Sequence, residues 1–399
     1  MKKTMTMKKV KKLYEDFVLN TYTRTDLCLV DGRGAHVTDI NGKVYLDFFP
    51  GWVVSGLGHR DPHVTRRLNE QMKRILHVSN NYYNGLQGSL AETIIRHSFK
   101  GKVFFGNSGA EANEAAIKLA RKYGNPGRYE VITMEKSFHG RTLATIAATG
   151  QDKVKKGFEP LPDGFRHVKF NDIGALTNAL GDKTVAVMIE LVQGEGGINI
   201  AEKEYVRAVR NICSERDMLL IIDEVQTGIG RTGTMFGFQN YGIEPDVMTL
   251  AKSLGGGLPI GAMVAAEKYA GVLTPGTHAS TFGGSPIVCA AALGVFDALE
   301  KGGLLKNALR MSGYFRKKLE ELRQEKPVIK KIKMLGLMVG LELDMEDATT
   351  VYEACLDRGL LINCTQKNIL RITPPLCVTK AQIDTAVKIL GGTIGEKIK

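Results

Sequence analysis

The sequence predicts an α/β protein: a mostly parallel sheet covered by helices on both faces, joined to a smaller α+β unit built from both chain ends. Three observations carry that expectation. The middle of the chain alternates short β-branched runs with helical patterns, the rhythm of parallel strands and their crossovers. Several of those runs stop at Asp, Glu or Gly, as buried strands do where they meet a sheet edge. The two ends of the chain break the rhythm and carry hairpin and mixed α+β signals.

The elements follow in order. Val37-Thr-Asp-Ile-Asn41-Gly42-Lys-Val-Tyr-Leu-Asp47 reads as two strands around an Asn-Gly turn. Apolar runs of strand length fall at 103–105, 131–134, 185–190, 219–223, 247–250 and 262–266, with helices such as 111–122 and 203–216 between them. Beyond these, helices near 303–326 and 348–358 accompany strands near 336–343 and 369–373. The expected divisions are 1–60 for an N-terminal segment joining the small unit, 61–295 for the large domain and 296–399 for the C-terminal part of the small one.

Composition narrows the function classes. A chain of 399 residues can bury a large core, and no apolar run approaches the ~20 residues of a membrane helix. Six lysines in the first twelve residues supply half of the +12 charge. No apolar stretch follows them, so they do not read as a secretory signal. No aromatic-basic motif accompanies them either. They read as a solvated tail on a protein that handles anions, not as a nucleic-acid surface. Cys28, Cys213, Cys289, Cys355, Cys364 and Cys377 are scattered, with no CxxC pair. That spacing points away from a metal site and a disulfide framework, and fits a reducing cytoplasm.

Four clusters carry chemistry. Phe104-Phe-Gly106-Asn-Ser108-Gly109-Ala110-Glu111 brings a strand through a turn into a helix, where free N–H groups suit a phosphate. Ser108-x-x-Glu111 fits a plain capping box equally well. In Ser137-Phe138-His139-Gly140-Arg141-Thr142, Phe138 can stack on a planar ring and Arg141 can grip a carboxylate. A core Phe and a surface Arg are the bland alternative. Glu190-Leu-Val-Gln193-Gly194-Glu195 puts carboxylates beside a glycine-rich loop at the sheet edge. Asp223 closes the fourth strand, with Gln226 just beyond, and Lys252 ends the next strand before three glycines. A buried Asp needs a cation or a capping role. Pyridoxal phosphate asks for this pair: an amine to hold its aldehyde and a carboxylate to keep its ring nitrogen protonated.

Taken together, these motifs resemble the class-III (subgroup II) aminotransferases, of fold type I among pyridoxal-phosphate enzymes. The resemblance rests on Asn107-Ser-Gly-Ala-Glu-Ala112, Phe138-His-Gly-Arg-Thr142, Asp223-Glu-Val-Gln-Thr-Gly228, Ala251-Lys-Ser253 and His278-Ala-Ser-Thr281-Phe-Gly-Gly-Ser-Pro286. It runs in order from about Asn20 to about Pro375 and implies a large domain with a mostly parallel seven-stranded sheet. It also implies the site. Ser108, Gly109 and Ala110 hold the cofactor phosphate, and Thr281 reaches it from the other subunit of a homodimer. Phe138 and Val225 cover the two ring faces. Asp223 pairs with the ring nitrogen, Gln226 with the phenolate oxygen, and Lys252 takes the aldehyde. Arg371 takes the α-carboxylate of glutamate or 2-oxoglutarate, Arg141 the distal carboxylate, and Glu195 covers Arg371 when an ω-amino donor enters. Ser280 joins the substrate-binding set, and no metal is expected.

Within the family, Ser79-Asn-Asn-Tyr82-Tyr83-Asn84 and Gly359-Leu-Leu-Ile-Asn363 through Arg371-Ile-Thr-Pro-Pro-Leu376 resemble the branch that acts on N-acetylornithine. Ornithine, succinylornithine, 4-aminobutyrate and lysine-pathway donors, and the glutamate semialdehyde aminomutase, share the fold and stay open. Lys333-Met334, where many relatives have an Arg-Gly type of entry, reads as a surface change. A non-catalytic basic interaction protein is the rival of another class. It has no need of the Lys252 amine.

Overall fold

A computed structural model describes residues 5–396. Its centre is a seven-stranded sheet. In spatial order the strands are Gly101–Gly106, Gly261–Ala266, Val247–Leu250, Leu219–Asp223, Thr184–Glu190, Glu130–Met134 and Phe165–Val168. All neighbours pair in parallel except Gly261–Ala266, which runs antiparallel to both of its partners. Because that strand is sandwiched between two parallel-running ones, the C-terminal ends at Gly106, Met134, Glu190, Asp223 and Leu250 share one edge. The strand Thr184–Glu190 is buried at every position, as a run covered on both faces must be.

Helix Gly109–Gly124 shows how the sequence builds a cover for the sheet. Ala112, Ala115, Ala116, Leu119 and Ala120 form its buried face, small enough for close approach to the strands. Ser108 caps its start, and Arg121 and Lys122 sit in the last turn, where cations suit the dipole. The longer Pro286–Glu300 helix is buried almost throughout and packs on Pro62–Gln71 and Gly85–His97.

The chain ends form smaller sheets. Leu29–Arg33, His36–Asp39 and Val44–Asp47 make an antiparallel set, and Leu360–Leu361 joins it in parallel beside Val44–Asp47. A second sheet orders Ile329–Leu335, Met338–Leu343, Ile369–Ile372 and Asn363–Thr365, all antiparallel.

Three sequence readings need adjustment. The basic start, where described, is a helix, Met7–Phe17, with no buried residue; Met1 to Thr4 lie outside the described residues. Lys252 does not close a strand. Its strand ends at Leu250, and Lys252 opens a 3-10 turn at φ 49°. Lys333 is no surface change. Its side chain is 14% exposed and pairs with Glu342 at 2.9 Å. It also donates to Gly197 O and Asn199 Oδ1, tying its strand to the loop after Glu195. Met334 beside it is buried.

Candidate active site

The shared sheet edge opens into a cavity of about 490 Å³, within the range of small-molecule sites. Ser108–Ala110, Phe138–Arg141, Asp223, Val225, Gln226 and Lys252 line it. Ser108 Oγ accepts from Glu111 N at 3.2 Å, so the cap is real. The Glu111 carboxylate does not close a reciprocal box; it accepts from Asn107 N and Nδ2 instead. The N–H groups of Gly109 and Ala110 have no acceptor among the described residues, and both residues line the cavity, an arrangement suited to an anion.

Asp223 is 4% exposed and fully engaged. Its Oδ1 accepts from Val225 N at 3.0 Å. Its Oδ2 accepts from Asn113 Nδ2 at 2.9 Å and from His139 Nδ1 at 2.8 Å. A carboxylate only accepts, so His139 must carry its proton on Nδ1. Its buried Nε2 has no partner among the described residues. Asn113 is itself fixed, accepting from Thr249 Oγ1 and donating to His139 O. Neither His139 nor Asn113 was assigned a role from sequence. A buried Asn on the alanine face of a helix was the available signal.

Lys252 is half-buried, and its amine has no hydrogen-bond or ion-pair partner among the described residues. Burial pulls its pKa down to about 8, against the pull of the Glu195 and Asp223 charges. Glu190 is pushed well above the usual carboxylate range, first by burial and then by the Asp223 charge. It accepts from Phe138 N at 2.9 Å and so fixes that backbone. Arg141 is exposed, with its guanidinium carbon 5.5 Å from the Phe138 ring centre.

Arg371 is not among the residues lining this cavity, but it is near enough for its charge to act on Lys252, and it is 1% exposed. Its Nη1 donates to Glu195 Oε1 at 2.7 Å and to Gly194 O at 2.9 Å, and its Nε to Asn363 Oδ1 at 3.1 Å. Nη2 has no partner among the described residues. Phe49 and Trp52 each place a ring centre 4.8 Å from its guanidinium carbon. Neither aromatic was singled out from sequence. Trp52, Val53 and Lys252 all carry positive φ without being glycine, at roughly 1–2 kcal/mol each.

Ser280 and Thr281 stand apart from the cavity. Thr281 is exposed, and Ser280 Oγ accepts from Asn107 Nδ2 at 3.1 Å.

Pyridoxal phosphate fits this donor set. There is a helix start with two open N–H groups for a phosphate. There is a buried carboxylate for a pyridinium nitrogen and a half-buried, unpaired amine for an aldehyde. The close approach is visible at Gly109, where an added Cβ would meet Val225 Cγ1 at 2.9 Å. A side chain there would drive into Val225 on the cavity wall.

The family pattern described as aminotransferase class-III matches residues 18–394. An acetylornithine aminotransferase from Caldanaerobacter subterraneus subsp. tengcongensis is 51% identical over 384 residues, 95% of this chain and 98% of that one. One from Methanothermobacter thermautotrophicus is 46% identical over 392 residues, covering 98% and 100%. Among solved structures, the ornithine aminotransferase from Toxoplasma gondii ME49 superposes with TM-score 0.94 at 31% identity, covering 100% of this chain and 97% of that one. The acetylornithine aminotransferase from Elizabethkingia anophelis gives 0.87 at 31%, covering 98% and 100%.

Proposed function

The chain belongs to the class-III aminotransferases, enzymes that use pyridoxal phosphate, and from that premise we propose that it moves the terminal amine of N-acetylornithine to 2-oxoglutarate. The products are N-acetylglutamate semialdehyde and glutamate, and the step belongs to arginine biosynthesis in the cytoplasm. The observation that carries this reading is the Glu195–Arg371 pair at 2.7 Å. A site serving one donor without a carboxylate at the reacting carbon and one acceptor with it needs an arginine whose charge can be covered and uncovered. Identities of 51% and 46% to two acetylornithine aminotransferases, over nearly the whole of each chain, support the acylated donor.

When bound, the cofactor supplies an aldehyde that captures amines and a cationic ring that takes up electrons. The residues do the rest. Ser108, Gly109 and Ala110 would hold its phosphate, Phe138 and Val225 its faces, Gln226 its phenolate oxygen. Asp223, fixed in place by donors from Asn113 and His139, would pair with the proton on the ring nitrogen. Lys252 would hold the aldehyde. Displaced by substrate, it carries a proton from and to the carbon bearing the transferred amine, and a pKa of about 8 suits that exchange near neutral pH. Arg141 takes the distal carboxylate of either substrate. Glu195 covers Arg371 for the acylated donor and gives it up to the α-carboxylate of 2-oxoglutarate, so no uncompensated charge stays buried. Thr281 reaches the phosphate of a second copy's site in a homodimer.

The test is a single-turnover screen of amino donors followed by the cofactor's absorbance. N-Acetylornithine reacts fastest, ahead of ornithine, succinylornithine, 4-aminobutyrate and lysine; a different winner ends this reading of the donor. In Glu195→Ala the donor half-reaction slows by about tenfold or more relative to the 2-oxoglutarate half.

A further inference from the structure

We propose that Trp52 is a positioning residue for the dicarboxylate substrate: with Phe49 it clamps the Arg371 guanidinium and keeps it in place while its carboxylate partner is exchanged. The inference rests on Arg371 as the α-carboxylate binder.

The exchange creates a physical problem. Arg371 is buried, and its only carboxylate partner among the described residues is Glu195. When Glu195 withdraws and before a substrate carboxylate arrives, a buried cation faces nothing of opposite charge. Two π faces reduce that cost without competing for the site. The Phe49 and Trp52 ring centres both lie 4.8 Å from the guanidinium carbon and 5.0 Å from each other, at an interplanar angle of 66°. Such contacts strengthen as water is excluded, and they do not depend on which carboxylate is present. They also leave Nη2, which has no partner among the described residues, free to donate to an incoming carboxylate.

The local backbone is built to put this ring there. Trp52 and Val53 have φ of 58° and 74°, which a glycine would adopt without strain. Strained residues persist where surrounding contacts over-determine them, and here these are many. Val54 N donates to Gly51 O and Ser55 N to Pro50 O. Arg231 Nη2 and Leu376 N both donate to Gly56 O. Ser253 Oγ donates to Val53 O at 2.7 Å, hooking the turn to the residue after Lys252. On the other side, Asp47 accepts from Phe49 N at 3.0 Å and is held by His59 at 2.8 Å. The tryptophan is no core filler: it is 51% exposed, and it borders a separate cavity of about 1060 Å³.

Trp52 is the chain's single tryptophan, so its emission reports on this position alone. The holoenzyme is titrated with glutarate, a dicarboxylate with nothing to react. Tryptophan emission is recorded for wild type and Arg371→Lys, and calorimetry gives the dissociation constant for all variants. We expect a saturable emission change in wild type. Trp52→Leu weakens glutarate binding by about five- to thirtyfold, and Trp52→Phe restores it to within about threefold. The thermal midpoints stay together, so a fold defect is not the cause. If Trp52→Leu binds glutarate like wild type while Arg371→Lys loses it, the clamp is wrong and the role of Arg371 stands. If Trp52→Phe is no better than Trp52→Leu, the clamp is also wrong. If Arg371→Lys binds glutarate unchanged, both readings fall together.

Discussion

Lys252 combines three costs that one residue rarely carries at once: an amine drawn away from solvent, a left-handed backbone and no hydrogen-bond or ion-pair partner among the described residues. Its pH behaviour follows from the first of these. A folded-state pKa of about 8, against about 10.4 unfolded, means the unfolded chain holds more protons between those values. Stability of the cofactor-free protein therefore rises with pH across that window, and below about 8 the burial penalty is fully present. Lys252→Met removes the group, and thermal melts from pH 7 to 10 should show a flatter profile for it than for wild type. Uptake of pyridoxal phosphate by the wild-type chain should be half-maximal near 8 as well. A midpoint near 10 would contradict the burial argument. Lys252 and Asp223 were legible in sequence because each is a charged residue at the end of an apolar run, whereas Arg371 was legible through the family resemblance. His139, Asn113 and Trp52 were not, because their importance lies in what they touch across more than twenty residues of chain.

The start of helix Gly109–Gly124 is the element on which cofactor retention turns. Gly109 sits against Val225, with its virtual Cβ 2.9 Å from Cγ1 and 3.0 Å from Cγ2. Gly109→Ala must push the helix start or the valine, and both shape the cavity. Cofactor loss on dialysis should accelerate by roughly tenfold or more, and Val225→Ala in the same chain should recover part of it. No recovery would mean that the glycine serves backbone freedom, not clearance. At this scale the sequence was informative wherever periodicity was clean. Six of the seven central strands are built on short, mostly apolar runs. The seventh, Phe165–Val168, is an edge strand with an exposed Arg166 and a His167 bonded to the buried Thr133 Oγ1 at its middle, so it carried no such run. Ile329–Leu335 was missed for a related reason: the exposed Lys330 and Lys331 and the half-buried Lys333 dilute its apolar signal. The helix Lys380–Glu396, with five glycine and threonine residues among its seventeen, also went unread.

Across the whole molecule, association is the open dimension of the design. Tyr82, Tyr83 and Phe282 are large, exposed and close in sequence to Asn84 and Thr281. Their exposure fits a face awaiting a second copy. Sedimentation should give twice 43.7 kDa. Mixing unfolded Lys252→Ala and Thr281→Glu chains and refolding them together should yield activity that neither parent shows, since one of the two mixed sites is then intact. Absence of rescue would argue that Thr281 serves its own chain or no site at all. The small sheet has a consequence in time. Leu46 pairs with Leu360, some 314 positions further along the chain. At about 5–20 residues per second, the ribosome delivers the last strand of that sheet roughly 15–60 s after the first three. Through that interval the strand Val44–Asp47 presents a bare edge. Newly made chains are thus open to mispairing for most of their synthesis, and this sheet is closed only when the C-terminal third arrives.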